Sequence, residues 1–186
     1  MQNFFIDFVR PKISSFSPSV IAKIVPALLL AWYFIDIAKN PSEWHFLNNA
    51  DLIFHEAGHT LAFFMPRFLT ILAGSAFQVI IPLFFVVYFF IKEQFYSASL
   101  LLFWVGESLI NVSVYAKDAI VMELPLLGGG DTSGHDWHNM LSMTGLLKYT
   151  NTIGTMIWFA GAIFIAFAIL SSLYTATLRR EEKTSY

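Results

Sequence analysis

Ala50-Asp51-Leu52-Ile53-Phe54-His55-Glu56-Ala57-Gly58-His59-Thr60-Leu61-Ala62-Phe63-Phe64-Met65 is an apolar run that carries three ionisable groups within five residues, and Pro66 and Arg67 close it. Ionisable groups in hydrocarbon are costly, so such a segment belongs inside a bundle of other helices rather than against lipid. Two histidines four apart on a helix lie about 40° apart around its axis, so both imidazoles reach one ion. Glu56 stands beside them, placed to take a proton from a metal-bound water. The bland alternative is a pair of polar helix residues hydrogen-bonded to their neighbours.

The rest of the chain agrees with a membrane setting. It has 186 residues, of which 56% are hydrophobic and 13% charged, and Phe alone occurs 20 times. A soluble domain carries about 25% charged residues. The expected architecture is an all-α integral membrane bundle of about five transmembrane helices, within a range of four to six, forming one domain over residues 1–186. The net charge of −2 and the lack of a long basic cluster give no case for nucleic acid. With no Cys, any metal must use His, Asp or Glu.

Phe4, Phe5, Phe8 and Val9 share one helical face before Pro11, which predicts an N-terminal helix lying in the membrane interface rather than a cleavable signal peptide. Spans are expected at about 18–38, 50–65, 68–91, 97–123 and 152–178. The second is short for a bilayer. In the fourth, Glu107, Asn111, Tyr115 and Asp118 recur at spacings of four, four and three, a polar stripe that must face the bundle interior. Asn48 or Asn49 is a candidate cap for the second span, and Asp136 for a short helix of about 137–147. The glycines 128–130 are expected to form a mobile gate joining the stripe to the polar cluster that follows. Five spans put the two ends on opposite sides. Lys and Arg then divide almost evenly, which assigns no orientation.

A catalytic zinc usually has three protein ligands and one open position. His55 and His59 supply two. The third is open between His135, favoured as a neutral imidazole, and Asp118, favoured by its rigid helix. Glu107, Asp136 and His138 are further candidates. Asp136 reads more readily as a helix cap and His138 as an interfacial residue. Asp51, four residues before His55, is placed either to accept the second ring proton of a ligating His or to cap its helix. Gly58 allows close approach of a backbone or substrate, and Gly74, Ser75 and Gln78 offer the same from the third span. Gln78, Asn111 and Tyr115 complete the set expected behind the ligands or against substrate.

His-Glu-x-x-His in a membrane span, followed by an aspartate in another span, resembles the intramembrane zinc metallopeptidases of the site-2 protease type. The resemblance implies that His55 and His59 bind zinc, that Glu56 is the general base and that Asp118 is the distant ligand. That family's Asp usually stands in an Asp-Gly motif, whereas here the context is Tyr115-Ala-Lys-Asp118-Ala. The stretches around Tyr115–Ala119 and His135-Asp136-Trp137 also look like those of small prokaryotic membrane proteins with the same His-Glu-Ala-Gly-His, which implies a prokaryotic cytoplasmic membrane.

The function expected is therefore a zinc metallopeptidase carrying out intramembrane proteolysis. Its partners are membrane lipid and a membrane-embedded or membrane-proximal peptide. A hydrolase of lipid amides or esters would use the same chemistry. A divalent metal transporter would spread polar groups through the full membrane depth, often in paired repeats, and no repeat is seen. A non-catalytic scaffold leaves Glu56 unexplained.

Overall fold

The computed structural model of the protein describes residues 18–125 and 132–178. The interfacial start, the glycines 128–130 and the charged tail from Arg179 lie outside the described residues. Within them the fold is all α, with no strand: α1 (Pro18–Lys39), α2 (Phe46–Leu61), α3 (Arg67–Ile91), α4 (Phe95–Lys117), α5 (Asp136–Met143) and α6 (Thr150–Thr177), with 3-10 turns at Thr132–Gly134 and Leu147–Tyr149.

Four helices, α1, α3, α4 and α6, are long and apolar enough to cross a membrane, and the chain is an integral membrane protein. The segment that carries His55 and His59 is not one of them. It forms the 16-residue α2, about 24 Å long at 1.5 Å per residue, short of a hydrocarbon core of about 30 Å. α4 is the central helix: 61% of its most apolar window is buried, against 22–28% for the other three. That is why its polar stripe can exist.

Hydrogen bonds fix the directions of the helices. Tyr96, at the start of α4, donates to the carbonyl of Lys23 near the start of α1, and Trp158, near the start of α6, donates to the carbonyl of Ala38 near the end of α1. α1 is therefore parallel to α4 and antiparallel to α6. One side of the bundle, here the near side, holds the end of α1, the start of α3, the end of α4 and the start of α6. Pro18 and Leu178 share the far side. The expectation of opposite ends is corrected, because α2 does not cross. His45 stands edge-on to Tyr33 with ring centroids 5.9 Å apart, about 9 Å below the end of α1. The chain turns back into the bundle, and α2 then climbs to the near side.

Close backbone contacts hold the helices. Between helices in lipid there is little hydrophobic drive, so close packing and polar contacts carry the association. A methyl on Gly106 would collide with the Gly161 carbonyl and Ile165, and one on Gly161 with the Gly106 carbonyl, so α4 and α6 cross where neither has a side chain. Gly58 of α2 lies equally tight against the Ala73 carbonyl of α3.

Helix ends differ from the sequence expectation in instructive ways. α2 starts at Phe46 with His45 as its cap residue, and Asn48 accepts the His45 N–H at 2.5 Å. α4 stops at Lys117 because Asp118 turns its carboxylate onto the N–H groups of Glu123 and Leu124, both at 3.0 Å, around Met122 at φ 55°. The cap of α5 is His135, whose side chain accepts the His138 N–H; Asp136, expected as the cap, is the first helical residue.

Candidate metal centre

α2 and α3 run antiparallel, and three positions on one face of α3 meet the two histidines of α2. His59 Nδ1–H donates to the carbonyl of Thr70 at 2.8 Å. His55 Nδ1 lies 3.3 Å from Gln78 Oε1. The Gln78 amide nitrogen faces acceptors: Asn111 Oδ1 at 2.8 Å, with Asp51 Oδ2 and the Ser108 carbonyl at 3.4 Å. Its oxygen is therefore the atom turned to His55, and Nδ1 of His55 donates. Both rings hold their proton on Nδ1 and present the Nε2 lone pair. Gly74 passes between these two contacts without a side chain.

Both Nε2 atoms aim at the same oxygen. Asp136 Oδ2 lies 2.8 Å from His55 Nε2 and 3.0 Å from His59 Nε2. With the Nδ1 protons committed, two lone pairs and a carboxylate oxygen converge with no hydrogen between them. Acceptors at such distances require a positive charge in their midst, either added ring protons or a metal ion. The donor set suits zinc: two imidazole nitrogens and a carboxylate oxygen leave one tetrahedral position open. Ligands about a zinc at ~2.0 Å stand about 3.3 Å apart, close to the separations seen. Among the described residues, His55, His59 and Asp136 form the group of potential ligands that converges in this way. His55 and Asp136 are buried and His59 is partly so. Burial works against the Asp136 carboxylate, and added protons on the imidazoles of His55 and His59 would offset it and hold it below the usual carboxylate range.

α5 delivers Asp136. Its backbone N–H donates to the Tyr115 hydroxyl at 3.0 Å, and Trp137 Nε1 donates to Ser75 Oγ at 3.1 Å, beside Gly74. Tyr115 thus anchors the carboxylate from α4, with its ring 5.8 Å from that of His55. Glu56 is exposed, about 100° round α2 from His55.

The side chain that meets the two imidazoles, Asp136, is neither of the two favoured candidates. His135 Nε2 donates to Asp118 Oδ2 at 3.1 Å, while its Nδ1 accepts the His138 N–H at 3.2 Å. Both nitrogens are committed, so the ring's one lone pair is not free for a metal. Asp118 is used up by His135 and two backbone N–H groups. His138 Nδ1 donates to the Ala119 carbonyl at 2.8 Å. These residues lock the turn after α4 onto α5.

Asp51, Glu107 and Asn111 stand one layer behind the imidazoles. Asp51 is fully buried and accepts from Trp104 Nε1 at 2.9 Å and Ser108 Oγ at 3.1 Å. It supports His55 only through Gln78, not by direct contact. Glu107 is fully buried beside Asp51. Sequence reasoning missed Thr70, which acts through its backbone carbonyl and so leaves no trace in residue type, and the Trp104 and Ser108 donors.

Compared with protein-family profiles, curated proteins and solved structures, the chain finds no match.

Proposed function

We propose that this chain is a zinc-dependent hydrolase of the membrane, and that its substrate is a membrane-embedded or membrane-proximal peptide. The observation that carries this reading is the pair of Nε2 lone pairs converging on Asp136 with each ring's other nitrogen already donating. His55, His59 and Asp136 would hold the ion. When bound, the metal supplies Lewis acidity that brings the pKa of a water to about 7. Glu56 would be the base that takes a proton from the water attacking the peptide carbonyl. The C–N bond then breaks, and Glu56 returns the proton to the departing nitrogen. Tyr115 and Gln78 keep the ligands in register throughout.

A lipid ester or amide is the second reading. Thr70 is in the first turn of α3 and Tyr115 in the last turn of α4, so the cluster lies toward one edge of the bundle, where the ester or amide linkage of a lipid would be within reach. Metal analysis of the purified protein, wild type beside His59→Ala, tests the metal: one zinc in the first and none in the second is the expected result. Product analysis on peptide and lipid substrates then divides the two readings. A wild-type protein that neither retains nor rebinds zinc removes both.

A further inference from the structure

The contacts that orient the two imidazoles come from Thr70 and Gln78, eight residues apart on one face of α3. Gly74 is midway between them on that face. A methyl at Gly74 would stand 2.5 Å from His59 Nε2, 2.6 Å from His59 Cε1 and 2.7 Å from His55 Nε2. These are the three nearest atoms it would meet, and they include both metal-facing nitrogens. By contrast, a methyl at Gly58 would meet the backbone of Ala73, so that glycine serves helix packing. Gly74 sits inside a helix, where Ala is the stronger helix former. The fold gives no reason to prefer Gly there; the cluster does.

We infer that Gly74 sets the space for the metal, and that α3 acts as a template whose outer contacts aim the rings while its centre leaves room for the ion and its exchangeable ligand. Gly74 is thus a positioning residue of the proposed centre, and the inference rests on the metal reading above. An ion bound to both nitrogens at ~2.0–2.1 Å occupies the volume that a Cβ would enter. A side chain at this position either displaces the rings from their Thr70 and Gln78 contacts or stands in the place of the ion.

The test titrates Zn2+ against a competing chelator in wild type, Gly74→Ala and Gly58→Ala, with far-UV circular dichroism and melting of the metal-free proteins alongside. Gly74→Ala is expected to keep its helical spectrum and to lose at least 100-fold in zinc affinity. Wild-type affinity in Gly74→Ala overturns the inference while leaving the metal reading intact. Wild type that binds no zinc removes the metal reading, and this inference with it. If Gly74→Ala also melts early, the same change on a His55→Ala/His59→Ala background decides. Removing both rings relieves the collision, so the added methyl should then no longer lower the melting temperature. The same loss with and without the two rings overturns the inference.

Discussion

Two histidine–aspartate groups lie side by side near one edge of this bundle, and they differ in where their protons are. In the first, His55, His59 and Asp136 present three acceptors to one point. In the second, His135, Asp118 and His138 are made of the same residue types, yet each contact pairs a donor with an acceptor. Residue type and proximity do not separate the groups. What separates His55 and His59 from His135 is the partner of the other ring nitrogen: a carbonyl oxygen frees Nε2 for a metal, whereas a backbone N–H consumes the only lone pair of the neutral ring.

The sharpest way to break that contrast is substitution on each side. His59→Ala and Asp136→Ala should abolish stoichiometric zinc, whereas His135→Ala should retain it, as read by elemental analysis of purified protein. Zinc lost from His135→Ala and kept in Asp136→Ala would reverse the assignment. Next in size, Glu56→Gln should keep zinc and lower turnover by about 10²–10⁴-fold, because it keeps the shape and removes the base; an unchanged rate would take Glu56 out of the mechanism. A smaller effect is expected behind the ligands. Gln78→Leu removes the acceptor that fixes the His55 tautomer and should weaken zinc by about 10–100-fold, measurable by chelator competition. The smallest change in metal affinity belongs to the second group. Asp118→Ala should leave zinc untouched and lower stability by about 1–3 kcal/mol, since two backbone N–H groups and His135 lose a charged acceptor; thermal melting in detergent reads it.

Much of the fold was legible because apolar length is a property of the chain itself. The spans at α1, α3, α4 and α6 start and stop within a few residues of the expected positions, except at Asp118, which ends α4 early by accepting from the backbone ahead of it. The short second segment reads as short from its sequence, but it is not surrounded by other helices: it buries one face, with Asn48, Asp51, His55 and Gly58, and leaves Phe46, Ile53 and Leu61 exposed. Its turning back at His45 depends on packing against Tyr33, which no local pattern encodes. At the site, His55, Glu56 and His59 followed from helical spacing alone. The carboxylate that joins the two imidazoles did not. His135 and Asp136 are neighbours, and the structure exchanges the places expected of them: the His135 imidazole caps the helix and the Asp136 carboxylate reaches the two imidazoles of α2. Which of two adjacent side chains points inward depends on how α5 docks through Trp137 and Tyr115, a tertiary fact.

The four candidate crossings among the described residues bear on where the centre faces in a cell. The end of α2 and the starts of α3 and α6 stand on the near side, and so do the His55–His59–Asp136 cluster and the basic residues Lys39, Arg67, Lys117 and Lys148. Pro18 and Leu178 stand on the far side. Substrate and zinc would therefore reach the cluster from whichever compartment the near side faces. Reporter fusions within residues 40–45 and after Leu178 should give opposite signals, and the first of them names that compartment. The same signal from both would break the four-crossing reading.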